Sequence, residues 1–272
     1  MDKNEFQSII NVNRRSGKAF RVTLTNYTQR ISGGLLDAKE LNETKSKKFF
    51  LASAMIKKDV SRFEVPIIDS AQNIYFEQNL GKESFFIDEI YGVDLSNAYA
   101  TILKNAGYIT AKTYRYISTL EKLDRLGAIG MLASNKKHFD FVNGEIVNVE
   151  EEKSALSNFF FYAVQKTREI MAQAQAIAQE DNAENYLFTW VDCIYIREAE
   201  KLKDIFTFLK SQGLKYKEKN YTQFLAERGE KTIKVTFYED ENIKNFHLPL
   251  PKSRVKKAIE EYILNLNKKT KK

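Results

Sequence analysis

The chain has 272 residues, 43% hydrophobic and 12% aromatic, which is enough to bury the core of one large or two small domains. One cysteine, Cys193, and two distant histidines, His138 and His247, exclude a disulfide framework and a zinc site of the usual Cys/His kind, so any metal would be held by oxygen. The formal charge of +7 is compatible with a polyanionic partner, or with a protein that is simply basic. No apolar run is long enough to span a membrane, so we expect no membrane association and a reducing, cytoplasmic setting.

Residues 1–84 predict a basic region of mixed secondary structure. The basic run at residues 13–18 would contact phosphate or lie in a solvated loop. Residues 20–25 alternate as in a strand, and the adjacent glycines Gly33 and Gly34 predict a turn. Residues 37–58 have a lysine-rich helical pattern.

A strand pattern over residues 85–93 leads directly into Asp94. Ser96 and Asn97 are good helix-capping residues, and they are followed by an apolar helical pattern that ends at Gly107. The spacing therefore predicts Asp94 where a strand meets a helix, a place that is rigid and open to ligands. Alone, such an aspartate is more often a turn or capping residue.

Residues 107–149 predict an insertion of helices and a hairpin. A helix is predicted over residues 114–133, with Lys122 and Arg125 on one face. Apolar runs on both sides of Asn143-Gly144 predict a tight hairpin. One long helix is then predicted over residues 150–181.

A second carboxylate follows in residues 186–196. Two short apolar runs there are separated by Asp192 and Cys193, which predicts a tight hairpin with Asp192 at its tip. A helix over residues 197–213, strands at residues 214–219 and 232–238, and a loop with a lysine-rich helix over residues 249–272 complete the pattern.

These elements predict an α+β fold with an antiparallel sheet and helices on one face. In that topology the strand before Asp94 lies beside the hairpin of Asp192, so that the two carboxylates converge. Two such carboxylates would hold Mg²⁺ (or Mn²⁺), hard cations that prefer carboxylate and phosphate oxygen. An in-line phosphoryl displacement, as in nucleotidyl transfer, is the chemistry that such a site supports.

At these residues the chain resembles the palm of family B DNA polymerases. The segment Asp94-Leu95-Ser96-Asn97-Ala98-Tyr99-Ala100-Thr101-Ile102-Leu103 is similar to that family's motif A, Asp-x-x-Ser-Leu-Tyr-Pro-Ser-Ile-Ile. The segment Phe188-Thr189-Trp190-Val191-Asp192-Cys193-Ile194-Tyr195-Ile196 is similar to its motif C, Tyr-x-Asp-Thr-Asp-Ser-Ile-Tyr-Val. The resemblance covers roughly residues 85–220.

The resemblance implies a role for each matching residue. Asp94 and Asp192 would be the catalytic metal ligands, the Leu95 backbone would help to hold metal and triphosphate, and Tyr99 would stack under the sugar and exclude a 2′-hydroxyl. On position alone, Lys122 and Arg125 would offer cations to the triphosphate. Lys219-Asn220-Tyr221 resembles the Lys-x-Tyr element that grips the primer, which would make Lys219 and Tyr221 nucleic-acid ligands.

The chain also departs from the family pattern. Trp190 stands where motif C has its first aspartate, and the Lys-x-x-x-Asn-x-x-Tyr-Gly element of the fingers is not found in its usual form. There is also no room before residue 85 for the family's proofreading exonuclease. These departures predict a strongly reduced polymerase.

We therefore expect a minimal, exonuclease-less DNA polymerase of a phage or mobile element, acting on a primer-template and dNTPs in the cytoplasm of a bacterial host. The predicted domains are a basic region (1–84), a palm-like domain with reduced fingers (85–220, insertion 107–149) and C-terminal strands with a basic helix (221–272). Partner subunits would supply missing fingers or thumb. Two alternatives remain open: an inactive palm that serves as a DNA-binding replication accessory or scaffold, and a two-metal nuclease.

Overall fold

The structure is a computed structural model that describes residues 3–25, 28–41, 46–68, 76–80, 83–229, 232–239 and 242–249. Helices and antiparallel sheets occur together in it, so the predicted α+β class is confirmed. The α-helices of these residues are α1 (Lys3–Ser16), α2 (Lys47–Val60), α3 (Ala98–Asn105), α4 (Ala111–Ser118), α5 (Lys122–Gly130), α6 (Ser157–Gln179) and α7 (Leu202–Ser211). The strands are β1 (Phe20–Leu24), β2 (Thr28–Ser32), β3 (Ala38–Leu41), β4 (Phe76–Gln78), β5 (Phe85–Ile87), β6 (Ile90–Ser96), β7 (Lys136–Val142), β8 (Glu145–Glu152), β9 (Tyr186–Trp190), β10 (Cys193–Ile196), β11 (Lys215–Tyr221), β12 (Gln223–Arg228), β13 (Thr232–Glu239) and β14 (Asn242–Pro249).

The chain divides into two compact units, each assembled from two separate stretches. The first unit combines residues 1–73 and 99–166, and the second combines residues 74–98 and 167–272. The predicted domains, by contrast, were contiguous ranges with boundaries at residues 84 and 220. Within the described part of the chain, no helix is long and apolar enough to cross a membrane.

The first unit is built on a five-stranded antiparallel sheet with the strand order β3-β2-β1-β7-β8. Phe6 of α1 packs on this sheet in a buried cluster with Phe20, Val22, Ile31, Ala38 and Phe141. The predicted Asn143-Gly144 hairpin is confirmed: it joins β7 to β8, and both turn residues have positive φ, 52° and 81°. Asparagine and glycine adopt that backbone at the least cost, which explains the strength of the local signal.

Two helix predictions in the first unit were wrong in extent. Residues 38–41 form β3 and not the start of a helix, because they pair with β2. Helix α2 begins only after Ser46, whose hydroxyl accepts a hydrogen bond from the Phe49 amide at 3.2 Å. The helix predicted over residues 114–133 is two helices, α4 and α5, because the chain turns between them and buries Leu120. Helix α1 was not predicted.

A buried carboxylate fixes the start of α4 in the first unit. Asp59 of α2 is 6% exposed, and its Oδ2 accepts hydrogen bonds from the Thr110 amide and the Thr110 hydroxyl, both at 2.9 Å. Burial by itself raises the pKa of Asp59, but hydrogen bonds from Thr113 and Thr110 and the charge of Arg62 outweigh it and lower that pKa. Asp59 therefore joins α2 to α4 as an ionised hydrogen-bond acceptor.

The second unit contains two antiparallel sheets. The central sheet has the strand order β11-β6-β10-β9-β4, and the other has the order β14-β13-β12-β5. An aromatic cluster lies at their junction: Phe188 stacks on Tyr195 with ring centroids 4.4 Å apart, and Phe237 of β13 lies 5.0 Å from Tyr195. The central sheet is therefore held from one side by aromatic packing.

Residues 85–93 were predicted to be one strand, but they form parts of two. Strand β5 pairs with β12, whereas β6 pairs with β10 and β11, and the chain changes sheet at Asp88-Glu89. The long helix α6 starts at Ser157 and not at residue 150, because residues 150–152 belong to β8. Strands β12 and β14 were not predicted, and the predicted basic helix of the tail lies outside the described residues.

Candidate metal site on the central sheet

The central sheet brings the strand of Asp94 beside the turn that carries Asp192. Strand β6 lies between β11 and β10, and Asp94 stands directly opposite Cys193, the residue that follows Asp192. The Leu95 amide donates a hydrogen bond to the Asp192 carbonyl at 2.8 Å. The strand of Asp94 thus lies beside the hairpin of Asp192, as the predicted topology requires.

Asp94 was expected at the end of its strand, but β6 continues through Ser96. Its backbone is consequently fixed by partners on both sides, Cys193 of β10 and Lys217 of β11. The helix-capping interpretation of this residue was therefore wrong, since the next helix, α3, begins only at Ala98. A carboxylate inside a sheet is held more rigidly than one at a free strand end.

The tip of the second hairpin is a tight two-residue turn of Val191 and Asp192. Val191 has a φ of 58°, whereas Asp192 is not among the described residues with positive φ, a combination typical of a type II′ turn. Such turns usually have glycine at the first position, and another residue held in so sparsely populated a backbone region costs on the order of 1–3 kcal/mol. Backbone strain of this kind is common beside functional side chains, and here it lies next to Asp192.

Lys219 of β11 forms an ion pair with Asp94. Its Nζ lies 2.5 Å from Asp94 Oδ2, with the two side chains 31% and 16% exposed. Burial alone would lower the pKa of Lys219, but Cys193 and the hydrogen bond and charge of Asp94 together raise it. An ammonium group therefore neutralises Asp94 in the absence of other cations. Lys219 was predicted to bind nucleic acid, and its contact with Asp94 was missed because the register of β11 on β6 cannot be read from local sequence.

Cys193 lies close to both carboxylates. Burial, as the main cause, raises the pKa of its thiol to about 12; Asp94 and Asp192 add to the rise, while Lys219 opposes it. The two carboxylates therefore act electrostatically on one buried group. A thiol with this pKa is protonated at neutral pH, which excludes it as a nucleophile.

The remaining predicted site residues fall in both units. Leu95 and Tyr221 share the second unit with the carboxylates, and Tyr221 is only 3% exposed because it packs 4.7 Å from Phe237 in the aromatic cluster. Tyr99 lies in the first unit, on α3. Its ring packs edge-to-face on that of Phe160, with the ring centroids 5.9 Å apart. Two further predicted residues, Lys122 and Arg125, also lie there.

Those two cations stand on α5. Lys122 is its first residue and is exposed, and Arg125 donates from Nη1 to the Leu120 carbonyl at 3.1 Å. Arg125 thus helps to hold the turn between α4 and α5.

Asp94 and Asp192 give the second unit two carboxylates at neighbouring places in the fold, and carboxylate oxygen is the kind of donor that a hard divalent cation takes. Among the described residues, no group of three or more His, Cys, Asp and Glu side chains is arranged to hold a metal. Mg²⁺ commonly takes only one or two protein carboxylates and fills its other positions with water and phosphate. The Lys219 ammonium on Asp94 shows that this position attracts a cation.

Trp190 stands where the motif has its first acid. Its ring centroid lies 6.0 Å from that of Phe246.

A scan against protein-family models matched no family, and a search of curated proteins found no match.

Proposed function

We propose that this chain performs template-directed DNA synthesis by nucleotidyl transfer from dNTPs, as a family B-like polymerase of a phage or mobile element. The observation that carries the proposal is the pairing of β6 with β10, which puts Asp94 on a strand beside the turn that carries Asp192. Their likeness to motifs A and C supports the same function. The two motifs also follow each other along the chain in the order of the family pattern.

Asp94 and Asp192 would hold Mg²⁺, or Mn²⁺, through their carboxylate oxygens. When bound, the cation would activate the primer 3′-hydroxyl and stabilise the charge that develops as the α-phosphate changes partners and pyrophosphate leaves. The backbone of Asp94 is held by strand pairing on both sides, and the Asp192 carbonyl accepts a hydrogen bond from the Leu95 amide. A rigid backbone at both aspartates supports the proposal, because an in-line displacement needs positioned groups.

Other residues would serve the substrate. By the same resemblance, Tyr99 would exclude ribonucleotides. On sequence position alone, Lys122 and Arg125 would offer cations to the triphosphate. Lys219 would leave Asp94 when a divalent cation arrives, because the two cations compete for one carboxylate oxygen. Its ammonium is then available to a phosphate.

Primer extension by the wild-type chain tests the proposal. With a labelled primer-template, dNTPs and Mg²⁺ or Mn²⁺, we expect elongation that stops when EDTA is added. DNA binding without incorporation under every primer and metal condition would contradict it.

A second candidate, an inactive palm that binds DNA as a replication accessory, is favoured by two observations. Lys219 already neutralises Asp94, and Trp190 occupies the position of an acid in the motif. Binding without incorporation is the result that this candidate predicts.

Replacing Lys219 should tighten metal binding. Lys219→Gln removes the ammonium that competes for Asp94 Oδ2, so we expect the dissociation constant for Mn²⁺ without DNA to fall about tenfold, equivalent to about 1.4 kcal/mol. The dissociation constant is measured from the electron paramagnetic resonance signal of free Mn²⁺. Lys210→Gln, at an exposed position of α7, is the matched control and should leave the constant unchanged. Unchanged or weaker binding in Lys219→Gln would remove Asp94 from the cation site.

A further inference from the structure

Strand β11 carries lysines at alternate positions, Lys215, Lys217 and Lys219. Alternate residues of a strand point to the same face, about 6.5 Å apart. In the register of the sheet, Lys217 stands opposite Asp94 and Lys215 opposite Ser96. Directly opposed residues of antiparallel strands also share a face, so this lysine row lies on the face that carries Asp94.

The other face of β11 is covered by α7. Tyr216 stacks on Phe206 of that helix, with ring centroids 4.4 Å apart and planes 8° from parallel. The lysine row is therefore on the face away from α7. It is also at the edge of the central sheet, since β11 is the terminal strand in the order β11-β6-β10-β9-β4.

The lysines of the row differ in exposure and in ion pairing. Lys215 and Lys217 are exposed, and neither forms an ion pair with another described residue. Lys219 is half-buried and turned to Asp94. Lys244 of β14 adds a nearby charge: pairing with Glu239 raises the pKa of Lys244 most, whereas Lys219 lowers it.

The lysine row is bounded by a buried residue at one end and is exposed at the other. Tyr221 is the next residue on the same face, and it is buried in the aromatic cluster. The row therefore stops at Lys219, whose ammonium contacts Asp94. From there it runs through Lys217, opposite Asp94, to Lys215, opposite Ser96.

We propose that the lysine row is a track for the phosphate backbone of one DNA strand whose end reaches Asp94. The inference rests on the proposed function, because it gives a path to the strand that the carboxylates would extend. Lysine ammonium groups on flexible stems neutralise phosphates without reading bases. Evenly spaced charges along an open sheet edge suit a linear polyanion better than a compact ligand.

Salt dependence tests the track without any catalysis. Neutralising a phosphate of a single strand contributes about −0.7 to the slope of log affinity against log salt concentration. For Lys215→Gln/Lys217→Gln we therefore expect the slope for a fluorescent oligo-dT, measured by anisotropy over a KCl series, to become shallower by about 1.4. The matched control is Lys203→Gln/Lys210→Gln, which removes the same charge from exposed positions of α7 and should keep the wild-type slope.

The outcomes separate this inference from the proposed function. Equal slopes in the two double variants would overturn the track, even where the wild-type chain extends a primer. A shallower slope in Lys215→Gln/Lys217→Gln alone would support the track, even where no incorporation is found.

Discussion

Asp94→Asn and Asp192→Asn are each expected to reduce Mg²⁺-dependent primer extension by more than about 100-fold, since groups that merely orient metal ligands already contribute about 10- to 100-fold. Both substitutions keep the shape of the side chain and remove the charge that a divalent cation requires. The amide oxygen introduced by Asp94→Asn would still accept a hydrogen bond from Lys219, so the sheet should fold as before. Single-nucleotide incorporation rates at saturating primer-template give the measurement.

The control for these variants is Asp204→Asn, which removes an exposed carboxylate on α7 of the same unit. It should extend primers at the wild-type rate. All three variants should have wild-type circular dichroism and thermal unfolding. Incorporation at more than a tenth of the wild-type rate in either Asp94→Asn or Asp192→Asn, with folding intact, would rule out that residue as a metal ligand.

Asp59→Ala is expected to lower the free energy of unfolding by about 2–4 kcal/mol, since each hydrogen bond to a charged group contributes about 1.5–3 kcal/mol and Asp59 accepts two of them from Thr110. The donors are the amide and hydroxyl of Thr110, at the start of α4. Urea unfolding followed by far-ultraviolet circular dichroism measures the change. Asp204→Ala, at an exposed position, should stay within about 0.5 kcal/mol of wild type.

The same contacts predict a pH dependence. The pKa of Asp59 is lowered from its ordinary value of 3.8, so its contribution to stability is present above that pH and is lost as the pH falls through the folded-state pKa. The stability difference between wild type and Asp59→Ala should therefore shrink below about pH 4. A difference that stays constant into acid, or is below about 1 kcal/mol at neutral pH, would contradict the role given to Asp59.

Local signals predicted the parts of the fold that local chemistry decides. Asn143-Gly144 specifies its turn because both residues tolerate positive φ. The hairpin at Asp192 could be predicted because Asp192 and Cys193 separate two apolar runs. Residues 38–41 escaped prediction because their lysine and glutamate favour a helix, and pairing with β2 overrides that preference.

The candidate site could be predicted only in part. Asp94 and Asp192 stood out because each ends or interrupts an apolar run. The pairing of Lys219 with Asp94 depends on β11 joining the free edge of β6, and nothing local to either strand specifies that edge. The alternation of Lys215, Lys217 and Lys219 can be read from the sequence. Only the structure shows that α7 covers the opposite face of β11, so that the lysines share the other face.

The most direct test is a crystal structure of the chain with Mn²⁺, a primer-template and a dNTP that cannot be hydrolysed. We predict an anomalous peak in coordination contact with both Asp94 and Asp192, with Lys219 displaced from Asp94 and the triphosphate completing the metal's ligands. Mn²⁺ bound elsewhere, with the Lys219–Asp94 ion pair intact, would contradict the proposed metal site.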